Sequence, residues 1–229
     1  SEKLLKSIQE NKSVYTTVAH QIWSYAEMGY QEEQSSALLQ KTLKSEGFDI
    51  TTGVAEIPTA FVASYGSGEP VIALLGEFDA LPGLSQKALP YKVSNDAKAG
   101  HACGHHLFGT ASAAAAIALK KYLIGQNISG TIRFYGCPAE EGGSGKVYMT
   151  RAGLFDDVDI ALHWHADSKN SAGIRPALAN KSAKFRFYGV SAHAAGAPEK
   201  GRSSLDAVEA MNNMVNMMRE HTTESTRIH

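Results

Sequence analysis

An alanine-rich apolar segment at residues 107–124 is followed, after a short polar stretch, by a compact apolar segment at 131–135. The first has the length and composition of a helix that lies closely against a sheet, and the second those of a strand buried on both faces. Strand-like segments also occur at 61–65, 71–75 and 159–165, and helical patterns lie at 2–27, 32–46 and 146–153. We therefore predict an α/β fold, in which a three-layer domain contains a mixed, largely parallel sheet.

The pattern changes toward the C-terminus. Residues 182–190 alternate polar and apolar side chains, which is typical of a strand with one solvent-exposed face, and a helical pattern follows at 203–221. Residues 226–229 resemble the start of another strand. Because one strand and one helix cannot bury a core alone, we predict a first domain over 1–178 and the truncated start of a smaller α+β domain over 179–229.

Charge and cysteine usage exclude several classes of protein. The 229 residues carry a net charge of -1 at pH 7, so the chain has no electrostatic footprint for nucleic acid or an anionic membrane. Its two cysteines cannot build a disulfide framework, and no basic-then-apolar signal segment opens the sequence. The longest apolar run, 111–119, is too short to span a bilayer. We predict a cytoplasmic protein that binds neither nucleic acid nor membrane.

Two groups of metal-ligand residues flank the predicted helix at 107–124. Cys103 and His105 lie in a glycine-flanked loop before it, and Glu140 and Glu141 follow the next predicted strand. Each residue alone has an ordinary interpretation, as a buried thiol or a surface charge. Together they supply the thiolate, imidazole and carboxylate ligands that zinc accepts. This combination predicts a metal-dependent hydrolase, in which one carboxylate binds metal and the other transfers protons.

Both carboxylates reach one site only if the backbone turns between them, since neighbouring residues of an extended chain point to opposite sides. Pro138 before the pair and Gly142 and Gly143 after it predict such a turn. The glycine-rich sequence that ends at Lys146 lacks the spacing of a phosphate-binding loop, so a nucleotide site is not predicted.

Further candidates follow two other predicted strands. His163 and His165 flank Trp164, and a side-chain period of two puts both on one side, so the pattern does not say which is the ligand. Asp79 follows the strand at 71–75, where a carboxylate can hydrogen-bond a metal-bound imidazole and fix its tautomer. Glu77 is a weaker candidate for the same role.

Four segments carry a resemblance to a known family. They are LGEFDALP at 75–82, HACGH at 101–105, PAEEGG at 138–143 and SAHAA at 191–195. In combination they resemble the amidohydrolase branch of the M20 metallopeptidases. The resemblance implies a catalytic domain with two divalent metal ions, zinc or manganese, interrupted by a smaller lid domain that also dimerises. It also implies hydrolysis of the amide bond of an N-acyl amino acid.

The same resemblance implies a role for each site residue. The implied metal ligands are Cys103, His105, Glu141 and His165. Glu140 would be the general base and Asp79 the residue that orients a ligand. His193, in the lid, would bind substrate in the active site of a partner subunit and stabilise the oxyanion. His106 stands where many members have Asp or Asn, so its role stays open.

Two alternatives remain beside this interpretation. The first is an M20 hydrolase of a different N-acyl amino acid or of a dipeptide. The second is a non-catalytic module whose metal or lid serves assembly, with an apolar stripe of methionines as its partner surface, although core packing also explains that stripe. These methionines are Met211, Met214, Met217 and Met218. Members of the family are about twice as long, so we predict that this chain alone is inactive and binds metal incompletely. We also predict a homodimer formed through the lid domain, and a second subunit type stays open.

Overall fold

The computed structural model describes residues 2–173 and 177–229. The chain divides into two compact units, Ser1–Lys169 and Asn170–His229. The helices of the first unit are α1 (Glu2–Glu10), α2 (Lys12–Tyr25), α3 (Glu33–Ser45), α4 (His105–Gln126), α5 (Glu140–Gly143) and α6 (Gly145–Arg151), with a 3-10 turn at Val54–Glu56. Its strands are β1 (Asp49–Thr52), β2 (Phe61–Ser67), β3 (Val71–Gly76), β4 (Leu81–Pro82), β5 (Ala99–Gly100), β6 (Gly130–Gly136) and β7 (Ile160–Leu162).

Five strands form one mixed sheet in the order β1-β2-β6-β3-β7. β3 pairs in parallel with both β6 and β7, whereas β2 pairs antiparallel with β1 and β6. α4 connects β3 to β6 through a crossover, as parallel neighbours require. The predicted α/β class and mixed sheet are confirmed.

Both faces of this sheet are buried, which gives three layers. Along β6 the side chains alternate, so that Phe134 packs into the core beneath α2, α3 and α4 while Tyr135 packs into the core beneath α6. On β3, Leu74 packs into the same core as Phe134, and Ala73 packs into the same core as Tyr135. Full burial of one large apolar side chain contributes about 1.5–3 kcal/mol, so these two clusters supply much of the drive to fold.

α4 is the central helix of the larger core. By length and composition it also qualifies as a membrane span, but half of its most apolar window is buried inside the protein. Its small residues let it approach the sheet closely. A Cβ on Gly109 would lie 2.5 Å from the carbonyl oxygen of Glu77, so only glycine permits this approach. α4 is therefore a core helix whose first turn is held against the end of β3.

The structure adds two features that the sequence pattern did not predict. β1 is a polar and mostly exposed edge strand, so it lacks the apolar alternation by which strands are recognised. β4 and β5 form a two-residue ribbon, which is too short to give a periodic signal. The predicted strand at 159–165 is confirmed only over Ile160–Leu162.

The second unit is built on α7 (Ser204–Met218). The hydroxyl of Ser203 caps this helix by accepting a hydrogen bond of 3.0 Å from the backbone N–H of Asp206. Short 3-10 turns lie at Pro198–Lys200 and Arg219–His221. The predicted helix is confirmed in position.

The strands predicted at 182–190 and 226–229 are wrong. Within the described part of this unit, only Val190 forms a β-bridge, with Arg202, through two N···O contacts of 2.9 Å. A strand needs a neighbouring strand to satisfy its backbone, and residues 177–229 offer no such neighbour to the rest of these segments. Met214, Met217 and Met218 are exposed, so they do not pack into a core of this unit.

Candidate metal centre

Three strands of the large sheet deliver polar residues to one edge. β3 and β6 run parallel and end in register at Gly76 and Gly136. The segments that follow them, together with the segment after β7, therefore emerge at the carboxyl edge of the sheet, where α/β folds place their sites. The N-terminus of α4 lies at the same edge and presents His105.

His105 is completely buried and is held by a carboxylate on one side of its ring. Its Nδ1 lies 2.8 Å from Oδ1 of Asp79. The other oxygen of Asp79 accepts a 2.8 Å hydrogen bond from the backbone N–H of Glu141. Because Nδ1 is committed to Asp79, the free nitrogen of His105 is Nε2, the atom available to a cation.

Cys103 and His165 converge on that nitrogen. The Sγ of Cys103 lies 3.3 Å from Nε2 of His165, and the rings of His105 and His165 meet edge-to-face at 5.6 Å. One ligand atom from each of the three residues lies within 4.8 Å of the others. The structure thus brings together three of the four predicted ligands.

A second group of possible ligands shares His105. It contains Glu77, His105 and Glu140, whose ligand atoms also lie within 4.8 Å of one another. Oε2 of Glu77 lies 3.0 Å from Nε2 of His105, and Oε2 of Glu140 lies 3.8 Å from it. Glu141 belongs to neither group among the residues described. Its backbone is tied to Asp79 instead.

The predicted backbone turn at the carboxylate pair is confirmed. Glu141 has φ -69° and ψ 85° within the short α5 turn, and Gly142 follows with φ 76°. Before the turn, Ala139 adopts a left-handed conformation with φ 54°. This geometry is fixed by Glu32, a buried carboxylate that the sequence pattern did not reveal, which accepts a 2.8 Å hydrogen bond from the N–H of Ala139.

The electrostatics of the site are dominated by crowded carboxylates. Burial alone would lower the pKa of His105, but the carboxylates of Asp79 and Glu77 outweigh it and raise that pKa to about 10. Burial and the neighbouring Glu141 raise the pKa of the Cys103 thiol to about 12. Burial, together with the charges of Glu77 and Glu141, also raises the pKa of Glu140. A cation would relieve this repulsion and favour the deprotonated ligands.

The residues present fit a divalent metal ion. Three buried polar atoms around this point lack a hydrogen-bond partner in the described part of the chain: Glu77 Oε2, His105 Nε2 and Glu141 Oε1. Burying such atoms unpaired costs several kcal/mol in total, about 1–3 kcal/mol for each neutral group and more for a charged one. The mixed thiolate, imidazole and carboxylate donors suit zinc-like cations.

A cavity of about 300 Å³ opens beside Glu140. It is lined by Glu77, Glu140, Ser144, Gly145, Lys146, Val147 and His163. His163 therefore lines the cavity, and its ring packs on that of Phe108 with the centroids 4.9 Å apart. Lys146 forms an ion pair with Glu77, a contact across 69 positions that the sequence did not reveal.

His106 turns away from the candidate ligands. Its ring lies 5.0 Å from that of His101, whose Nε2 donates a 3.1 Å hydrogen bond to the carbonyl of Ile22. Burial lowers the pKa of each of these two histidines to about 4. Both are therefore neutral near pH 7 in this environment.

His193 lies in the second unit. Its Nδ1 accepts hydrogen bonds from the backbone N–H groups of Ala195 and Gly196, at 3.2 and 2.9 Å. These contacts fix the ring within its own loop and leave Nε2 outside them.

Comparison with known proteins identifies the family. Residues 73–226 match the model for peptidase family M20/M25/M40. This chain belongs to the M20 peptidase family. The matched region contains every candidate ligand described above, and the resemblance inferred from the four sequence segments is confirmed.

Individual relatives agree with this assignment. The chain is 50% identical over 226 residues to a p-aminobenzoyl-glutamate hydrolase subunit of Escherichia coli K12, covering 97% of this chain and 47% of that protein. It is 30% identical over 222 residues to the mouse Xaa-Arg dipeptidase, covering 91% and 47%. The chain therefore spans about half the length of these curated relatives.

A solved structure supports the fold. A dinuclear metal-binding peptidase of the M20 family from Bacillus subtilis superposes with a TM-score of 0.50 and 28% identity, covering 67% of this chain and 44% of that one. The three-layer catalytic fold of the family is therefore the fold found here.

Proposed function

We propose that this chain forms the metal-binding part of an amidohydrolase that cleaves the amide bond of an N-acyl amino acid. The observation that carries the proposal is the convergence of Cys103, His105 and His165, with Glu140 beside them, at the carboxyl edge of an M20 sheet. We assign a catalytic role to Glu140 because its side chain lines the cavity that opens at this edge.

The ligands of the proposed centre are Cys103, His105, Glu141 and His165. We propose two divalent ions, zinc or manganese, because soft thiolate and imidazole favour zinc while carboxylates also accept manganese. Bound there, a divalent ion polarises a carbonyl and makes water acidic near neutral pH. Asp79 acts on the ligands by holding Nδ1 of His105, which orients Nε2 toward the centre.

The remaining steps belong to the protein's own side chains. Glu140 accepts a proton from the attacking water and returns it to the leaving amine. Its raised pKa suits this exchange, because a carboxylate of higher basicity is a better proton acceptor. His193 would bind the carbonyl oxygen of a substrate in a partner subunit, a role that rests on the family resemblance alone.

The preferred substrate is p-aminobenzoyl-glutamate, cleaved to p-aminobenzoate and glutamate. Support comes from the 50% identity to the Escherichia coli relative, whose name specifies that substrate. The same name describes one subunit of a hydrolase, which favours a second subunit type beside a homodimer formed through the second unit. We keep the predicted cytoplasmic location and the absence of nucleic-acid and membrane partners as parts of the proposal.

The proposal is tested by assaying the protein at its full natural length, reconstituted with zinc or manganese, on p-aminobenzoyl-glutamate. Release of p-aminobenzoate is expected, and it should disappear when a chelator removes the metal. A panel of other N-acyl amino acids and dipeptides reveals whether a different substrate is preferred. Metal binding without turnover of any of these substrates would instead identify a non-catalytic assembly module.

A further inference from the structure

Glu77 is a buried carboxylate with one free oxygen. Its side chain is 3% exposed, and it lies directly after β3. Oε1 forms an ion pair with Lys146, whereas Oε2 has no hydrogen-bond partner in the described part of the chain. A buried carboxylate needs a compensating charge, and Lys146 supplies one at Oε1.

The free oxygen faces the free nitrogen of His105. Oε2 of Glu77 and Nε2 of His105 lie 3.0 Å apart, which is an ion pair when His105 carries a proton on Nε2. Two ligand atoms that each lie about 2.1 Å from one zinc-like ion, at an angle of about 90–110°, are separated by about 3.0–3.4 Å. The observed separation therefore also fits two adjacent ligands of one cation, which would take the place of the proton on Nε2.

Lys146 explains how Glu77 keeps this orientation. The ammonium group holds Oε1 at the wall of the cavity, while Oε2 points toward His105. Gly109 lets the first turns of α4 lie against the carbonyl of Glu77. Glu77, after β3, and His105, at the start of α4, are therefore held close together by rigid elements. Side chains that are held in this way lose little freedom when they bind an ion.

We propose that Glu77 is a further metal ligand, which binds through Oε2 the same ion as Nε2 of His105, and that Lys146 positions it. This inference rests on the proposed metal-dependent function and extends it. Glu77 is not among the four ligands that the family resemblance implies. Lys146 acts through Glu77 and is a positioning residue, because its ammonium group cannot bind a cation itself.

The test is titration of the metal-free protein, at its full natural length, with cobalt(II), monitored by its visible absorption and by competition with a chelator of known affinity. Glu77→Gln keeps the size of the side chain but removes its charge, and should weaken the affinity about 10- to 100-fold and change the cobalt spectrum. Lys146→Met should weaken the cobalt affinity less than Glu77→Gln does. Lys146→Arg retains the positive charge and should keep the wild-type affinity. Glu69→Gln, at an exposed position, is the control. Its cobalt affinity should equal that of the wild type, which would show that loss of any one carboxylate is not sufficient.

Glu77→Asp is a second variant in case Glu77→Gln fails to fold. It retains the charge but shortens the reach, so affinity should still fall. If the folded Glu77 variants bind cobalt with the affinity and spectrum of the wild type, the inference is overturned while the proposed metal centre stands. If the wild-type protein at its full length binds no cobalt, both the centre and the role of Glu77 are overturned.

Discussion

Asp79 and His105 are joined by a 2.8 Å contact between Oδ1 and Nδ1, in an environment where His105 is fully buried. Through its other oxygen, Asp79 also holds the backbone of Glu141. One carboxylate thus fixes a helix N-terminus and the turn after β6 relative to each other. This arrangement sets the tautomer of His105 and leaves Nε2 free for a cation.

Replacing Asp79 with Asn should disturb both contacts at once. The amide oxygen can replace only one of the two carboxylate oxygens. The amide nitrogen takes the place of the other and, as a donor, faces the N–H of His105 or of Glu141. We expect the affinity for zinc to fall about 10- to 100-fold, as measured by competition titration. The exposed Asp156→Asn serves as a control. An unchanged affinity in the Asp79 variant would show that this contact does not orient the ligand.

Glu140→Gln should separate proton transfer from metal binding. The amide keeps the shape of the side chain but cannot accept a proton, so turnover by the full-length protein should fall at least about 100-fold. Metal content, measured by mass spectrometry, should stay that of the wild type. Substantial remaining activity would exclude Glu140 as the base, and loss of metal would show that it is a ligand.

Two glycines of α4 provide a matched pair. A Cβ on Gly109 meets the carbonyl oxygen of Glu77 at 2.5 Å, whereas a Cβ on Gly125 meets nothing within 4 Å. Gly109→Ala should lower the free energy of unfolding by about 1–3 kcal/mol because α4 must move away from the sheet. Gly125→Ala should raise it by up to about 1 kcal/mol, since alanine favours the helix. Chemical denaturation measures both, and equal effects would contradict the close packing described here.

The buried His101 should make the metal-free chain sensitive to acid. Its pKa is lowered to about 4 by burial, whereas in the unfolded chain it lies near 6.5. The unfolded state therefore binds a proton first, and up to about 3 kcal/mol of stability is lost as the pH falls from about 6.5 to about 4. The stability of wild type relative to His101→Gln, measured with a chelator present, should decrease over this range. A difference that does not change with pH would contradict the assignment.

Much of the fold was accessible from the sequence because its signals are local. The apolar runs at β2, β3 and β6 and the alanine-rich α4 lie where the pattern predicted them. The polar edge strand β1 and the wrongly predicted strand at 182–190 mark the limit, because strand formation depends on neighbours that the pattern does not show.

The candidate site was predictable to a similar extent. The structure brings Cys103, His105 and His165 together. Recognisable metal chemistry beside a helix start predicted the first two, whereas only the family resemblance favoured His165 over His163. Glu32 and the ion pair of Glu77 with Lys146 were missed, because these contacts join residues 107 and 69 positions apart. Charged side chains are common on protein surfaces, so their sequence gives no sign that they are buried.

Anomalous diffraction from crystals of the protein at its full natural length, grown with zinc, tests the central claim most directly. We expect a zinc peak bonded to Sγ of Cys103 at about 2.3 Å and to Nε2 of His105 and His165 at about 2.0–2.1 Å. A peak elsewhere, or no peak with these three side chains turned to separate surfaces, would contradict it.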